Sequence, residues 1–391
     1  MNDALDRHGY LWPNPAQEEL LKAALGDGKD ALDHFHVWRG MIDLEADFDS
    51  GSFRLLPLLY VNMARLGLDD PLMGRLKGTY RRAWCEAQPR FSQARDVLAL
   101  LQSQGIETLM TKGVPLAISY YGNETLRPMA DLDVVVPRDK ARPAIAALEA
   151  AGWVRGPLVR EEDLLFHHAM QFFHPKGGEL DLHWYVLLEC RDAAINDAFW
   201  RRAEPLMVKD VATRQLETTD MMFHTVIHGI RWNAEPPIRW IADAAMILRR
   251  ADRRIDWDRL VAMAIEEKVT YRLRLGLRFL ADRFAMPIPA DVLARLDKAR
   301  TTWLERIENT IALYDSDGLY RHPLTKNWVI FARYCRIQQD RSAFQFVNGL
   351  SHYMRVKWAV AGRGEIPVAM VRGLWRRLFR RPSDNERTSF Q

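Results

Sequence analysis

Residues 127–136 read RPMADLDVVV, and two aspartates, Asp131 and Asp133, open a segment that is otherwise a buried strand. Side chains alternate along a strand, so both carboxylates share one face while Leu132 points back into the core. Like charges this close repel, and an isolated pair would drive one carboxylate toward protonation. A divalent cation removes that penalty. Magnesium in particular binds through one or two carboxylates plus waters and substrate phosphates. A D-x-D pair alone is also what an ordinary strand end can carry, so its meaning rests on its neighbours.

Three neighbours bear on it. Upstream, TKG ends a short β-type run, IETLMTKG, and precedes VPLAISYYG, which reads as a short helix. Gly113 would let the backbone approach a ligand, and a helix start favours phosphate. Downstream, ELDLHW places Glu179, Asp181 and His183 on one strand face and Leu180, Leu182 and Trp184 on the other. Asp181 is therefore a candidate third carboxylate. Arg127, just before the pair, is of the type that meets phosphate with a planar fork. A glycine turn, paired aspartates and a third aspartate on a later strand are the parts of a two-metal phosphoryl-transfer site.

At these residues the sequence resembles the polymerase-beta-like nucleotidyltransferase superfamily. It is more closely similar to its branch of bacterial uncharacterised nucleotidyltransferases. The motifs read Lys112-Gly113, Arg127, Asp131-Leu132-Asp133 and Asp181-Leu182-His183-Trp184, with RLLPLLY in front and IRWIADAAMIL behind. The likeness covers most of residues 12 to 295. It departs from the wider superfamily at the turn, where Val114 follows the glycine in place of serine and Lys112 precedes it. The resemblance implies transfer of a nucleoside monophosphate from a nucleoside triphosphate to an acceptor, with Mg²⁺ or Mn²⁺. Asp131, Asp133 and Asp181 would hold the metals, and Lys112, Gly113 and Arg127 the phosphates.

Outward from this centre the pattern is helical. PAQEELLKAAL puts Leu20, Leu21, Ala24 and Leu25 on one face. GSFRLLPLLYVNMARLG and RFSQARDVLALLQSQG repeat the period, with Gly67 and Gly105 as stops and Val97, Leu98, Leu100 and Leu101 as core candidates. PRDKARPAIAALEAAG is a further helix, and AMQFFHPKGGELDLHWYV a hairpin turning at Lys176, Gly177 and Gly178. From about residue 215 the helical period returns. The expected class is α+β, a small mixed β-sheet nucleotidyltransferase core flanked by helical regions. The domains would be 1–103, an N-terminal helical region; 104–212, the core; and 213–391, a C-terminal helical domain with a basic amphipathic tail.

The 391 residues are 48% hydrophobic and 27% charged with a net charge of +4, ordinary for a globular protein and too small a field for a chain built to hold nucleic acid. A protein hydroxyl or a small molecule is thus favoured as acceptor over long nucleic acid. Three scattered cysteines, Cys85, Cys190 and Cys335, fit a reducing cytoplasm, and MNDALDRHGY has no signal-peptide pattern. No apolar run reaches the roughly 20 residues that span a bilayer.

Other residues carry two readings each. His167, His168 and His174 flank or enter the hairpin as polar fillers or ligands. His224 and His228 have zinc-like spacing but lack the glutamate of H-E-x-x-H, which favours a pocket or core role. Arg239 and Asp243, four apart, would pair on a helix or line the cleft. VAMVRGLWRRLFRR, with Val368, Val371, Trp375 and Leu378 near one face, is a packed terminal helix or one that lies weakly on an anionic membrane or on nucleic acid. For the whole chain, a non-catalytic nucleotide-binding or scaffold protein is the alternative to an enzyme. The aspartate triplet favours the enzyme and the absent serine the alternative.

Overall fold

The computed structural model describes residues 12–43, 48–156, 167–190, 193–231, 238–250, 252, 254–303 and 305–306, and near the end 350–351, 354–355, 358 and 360–378. The chain divides into two compact units, one of 1–157 with 168–316, the other of 158–167 with 317–391.

The first unit opens with helices α1 (Pro15–Leu25), α2 (Gly28–Met41), α3 (Ser50–Phe53), α4 (Leu56–Arg65) and α5 (Met73–Ser103). α1 starts on a capping box, in which Asn14 accepts from the Gln17 amide and the Gln17 side chain accepts from the Asn14 amide. Leu20, Leu21, Ala24 and Leu25 are buried as the period requires. α5 begins well before the expected start at Arg90, because the helix runs through Pro89. An interior proline forfeits one backbone bond. Here Ala83, Ala87, Phe91 and Ala94 are buried on both sides of it, so packing carries the helix across. Leu100 is only half-buried, unlike Val97, Leu98 and Leu101.

Seven strands follow among the helices: β1 (Leu109–Met110), β2 (Asp131–Val135), β3 (Val154–Arg155), β4 (Ala169–Phe173), β5 (Glu179–His183), β6 (Glu204–Val208) and β7 (Val211–Gln215). They form one mixed sheet in the order β3-β4-β5-β2-β1-β7-β6. β4 and β5 make the expected hairpin, Phe173 opposite Glu179, with Gly177 and Gly178 at positive φ in its turn. β2 runs parallel to β5 and antiparallel to β1, so it is interior and its Leu132, Val134 and Val135 are fully buried. The β6–β7 hairpin was not anticipated. EPLMV and VATRQ mix apolar and polar residues too weakly to stand out, and β7 is fixed by its long-range parallel pairing to β1.

α7 (Ala141–Ala150) and α8 (Ala193–Arg202) connect strands. α9 (Thr218–Gly229), α10 (Arg239–Leu248), α11 (Trp257–Glu266), α12 (Thr270–Phe284) and α13 (Ala290–Lys298) complete the unit. One core joins both ends of it. Trp12 stacks on Phe279 at 4.2 Å between ring centroids, and Leu20, Leu59, Val135, Phe223, Trp240 and Leu280 belong to the same cluster. α9 and α10 approach so closely that a Cβ on Gly229 would lie 2.3 Å from Trp240.

In the second unit a helix spans Glu365–Leu378, with Val368, Met370 and Val371 exposed. The side chains of Trp375 and Leu378, the last arginines Arg380 and Arg381, and Cys335 lie outside what is described. No described helix is long and apolar enough to cross a membrane.

The exit of β5 is tied to the helices by a buried acid. Glu189 accepts from Arg231 at 3.0 Å and from Arg272 at 2.7 Å, and Arg272 also donates to the carbonyl of Ile227 at 3.2 Å. Burial alone would raise the carboxyl's pKa, but the two guanidiniums outweigh it and hold the group well below the glutamate range. A lowered pKa means the contribution is complete above the unfolded value near 4.3 and fades as pH falls below it. Glu189→Gln should destabilise the unit by about 3 to 5 kcal/mol, because it strands two buried cations. Guanidinium titrations at pH 7 and pH 3.5 check this: the gap between wild type and variant should narrow in acid.

Candidate functional site

The site forms where β2 and β5 run side by side. Their register pairs Asp131 with Glu179, Asp133 with Asp181 and Val135 with His183. Alternation then puts Asp131, Asp133, Asp181 and His183 on one sheet face. One donor atom each from Asp133, Asp181 and His183 lies within 4.8 Å of the others. Asp131 shares the face but stands outside this tight group, at the start of the strand. His183 Nε2 lies 3.1 Å from Asp133 Oδ1. A carboxylate can only accept, so Nε2 carries the proton. The alternation of ELDLH already placed His183 on this face, one step beyond Asp181.

Lys112, expected at the phosphates, meets a carboxylate here. Its ammonium donates to Asp133 Oδ1, and both side chains are largely buried. The lysine takes φ 54 and ψ −113, a conformation L residues rarely adopt. Gly113 beside it has no positive φ and is needed for space instead: a Cβ there would meet Met129 Sδ at 2.9 Å and Arg127 Nη1 at 3.3 Å. After Gly113 the helix α6 (Gly113–Pro115) gives way at once to a π-helical segment, Leu116–Tyr121.

The charges are unevenly settled. Burial works against the Asp133 anion, yet Lys112 and His183 hold its pKa far below the usual range. Asp181 has no such partner. Burial, then the Asp133 charge, push it up to about 6. Burial opposes the Lys112 cation too, but Asp133, Asp131 and Asp181 raise its pKa overall. The repulsion expected between paired aspartates therefore falls on Asp181, since Lys112 neutralises Asp133.

α9 packs near this centre. His224 and His228 stack at 5.5 Å and are kept neutral, His224 down to about 3, by burial first and the Lys112 charge second. Among the described residues they belong to no metal-donor group. Thr111 Oγ1, His183 Nδ1 and His224 Nε2 are buried without a hydrogen-bond partner. Two carboxylates and an imidazole suit Mn²⁺, and with Asp131 adding oxygen they suit Mg²⁺ as well.

Arg127 corrects the phosphate assignment. Its fork is filled by Asp243 of α10, Nε to Oδ1 and Nη2 to Oδ2, both at 2.9 Å, and Tyr121 donates to the same carboxylate at 2.8 Å. A buried Asp243 needs a full partner, and Arg127 rather than Arg239 provides it. Arg239 instead donates to the carbonyl of Pro128. Burial, then Arg127 and Arg54, depress its pKa to about 10. Arg127→Ala should accordingly cost about 3 to 5 kcal/mol, the scale for breaking a buried pair. In a double-mutant cycle with Asp243→Asn the two losses should be far from additive. Additive losses in chemical denaturation would separate the two residues.

The sequence matches the family described as uncharacterised nucleotidyltransferase over residues 52–285, more than half of the chain. Among solved structures, the crystal structure of an antigenic nucleotidyltransferase-like protein from Paracoccidioides brasiliensis is similar at 14% identity. That alignment covers 56% of this chain and 94% of that chain, with a TM-score of 0.33. No curated protein matches the sequence. The matched segment contains the glycine turn, β2, β5 and the helices α9 and α10 that surround them, and the chain belongs to the uncharacterised nucleotidyltransferase family.

Proposed function

We propose that the chain transfers a nucleoside monophosphate from a nucleoside triphosphate to an acceptor hydroxyl, using Mg²⁺ or Mn²⁺. The observation that carries this is the register of β2 on β5, which sets Asp133 beside Asp181 with His183 next on the same face. Asp133 and Asp181 would hold the ion, with Asp131 at the open end of the strand. A bound divalent ion would supply the charge neutralisation that a transferring phosphoryl group needs. Asp181 would complete the site and accept the acceptor hydroxyl's proton. Lys112 and the Gly113 turn lie beside them for the phosphates. Arg127 Nη1, outside the fork on Asp243, faces the same turn.

The net charge of +4 favours a protein hydroxyl or a small molecule over long nucleic acid as acceptor. The three cysteines, far apart in the sequence, are in keeping with a cytoplasmic setting. The exposed Val368, Met370 and Val371 support weak contact of the C-terminal helix with an anionic membrane surface. A non-catalytic nucleotide-binding role is favoured by one observation, the absence of a serine after Gly113.

Asp181→Asn separates these readings. A raised carboxyl pKa means the fold prefers the neutral form, so wild-type stability without metal falls as pH rises from about 4 toward 6. The amide should therefore leave the metal-free melting temperature at pH 7.5 equal or higher. It should also abolish the shift that Mn²⁺ gives the wild type. Transfer of label from an α-³²P nucleoside triphosphate to lysate components should fall on the order of a hundredfold or more, the scale for losing one preorganised electrostatic group. Nucleotide binding with no label transferred by the wild type would support the non-catalytic role.

A further inference from the structure

The glycine turn delivers a cation into the carboxylate cluster, and the backbone there is strained to do it. Among the described residues, four non-glycine positions have positive φ: Lys112, Lys209, Lys268 and Ala285. The last three sit in a hairpin turn or just past helix ends, where such values are common. Lys112 stands instead between a central strand and α6, with ψ −113 that fits no helical basin. A position with this geometry suits glycine. A lysine survives there when its side chain has a use that outweighs the strain.

The use is visible in the contacts. The ammonium donates to Asp133 Oδ1, the same oxygen that accepts from His183 Nε2. Asp131 and Asp181 act on it electrostatically as well. One compact positive charge thus meets all three aspartates of the site. An ion bound between Asp133 and Asp181 would meet the same carboxylates, and two cations at hydrogen-bond range of one oxygen repel strongly in a buried setting.

We propose that Lys112 is a built-in counter-cation, which keeps the carboxylate site assembled when no divalent ion is present and is displaced from Asp133 when one binds. This rests on the metal-site reading above. The folded protein holds a buried carboxylate cluster without metal, at the cost of weaker affinity for the ion. The displaced ammonium is released at the turn beside Arg127, where phosphate oxygens of an incoming nucleotide can accept it.

The test is a Mn²⁺ titration followed by the electron paramagnetic resonance signal of the free ion. Wild type and Lys112→Met are compared in the full-length chain without nucleotide. The methionine keeps length and removes charge, so its Mn²⁺ dissociation constant should be at least tenfold smaller than that of wild type. Equal or weaker binding by the variant would overturn displacement and place the lysine beside the ion. If neither protein binds Mn²⁺, the metal-site reading itself fails. A measurement on wild type alone covers a variant that does not fold: acetylation of Lys112 by acetic anhydride, read by peptide mass spectrometry against the exposed Lys140. Saturating Mn²⁺ should raise labelling of Lys112 several-fold while Lys140 stays constant. Unchanged labelling of Lys112 would overturn the proposal.

Discussion

The ion pair between Lys112 and Asp133 is the constraint around which the centre of the sheet is arranged. Asp133 lies on an interior strand and is 3% exposed. A carboxylate so placed without a partner would cost several kcal/mol or give up its charge. Its partners come from both sides of β2, Lys112 from the turn after β1 and His183 from β5. A slip of one residue would carry both aspartates to the opposite face and bring Leu132 and Val134 to this one. The neutral state of His224 and His228 follows, since a lysine charge nearby and deep burial both oppose protonation.

That constraint also separates what could be seen in the sequence from what could not. The strand alternation of DLDVV and ELDLH was legible because period two needs only local order: it put Asp131 with Asp133 on one face of their strand and Asp181 with His183 on one face of another, and the parallel register joins the two. The β4–β5 hairpin was legible through its glycines. The amphipathic helices α1, α4 and α9 to α12 were legible through their period. The partners were not. Arg127 was expected at a phosphate, and its fork goes to Asp243 only through the approach of α10 from more than a hundred residues away. Lys112 was likewise expected at the phosphates, because a lysine before a glycine says nothing of where its ammonium ends. The β6–β7 hairpin escaped notice because its place at the sheet edge depends on β1, itself two residues long. Sequence patterns report which face a residue takes, while charge pairing is settled by long-range packing.

Glu189, Asp133 and Asp243 contrast with Asp181 in how their carboxylates are met, and the contrast supports the location of the site. Glu189 and Asp133 are held ionised by cations within hydrogen-bond reach, Glu189 by two arginines and Asp133 by Lys112. Asp243 is likewise forked by Arg127. Such acids join segments: Glu189 ties the exit of β5 to α12, and Asp243 ties α10 to the residues before β2. Asp181 is different. It is half-buried, has no cation bonded to it and sits beside a carboxylate that stays charged, so its pKa rises to about 6. Replacing it with a neutral side chain would relieve the fold, so stability does not explain its presence. A carboxyl whose charged state the fold disfavours, beside a second carboxylate that stays charged, is an arrangement that a bound cation would relieve. The register that sets Asp181 beside Asp133 comes from the parallel pairing of β2 with β5, and that backbone ladder keeps the two carboxylates side by side despite their repulsion.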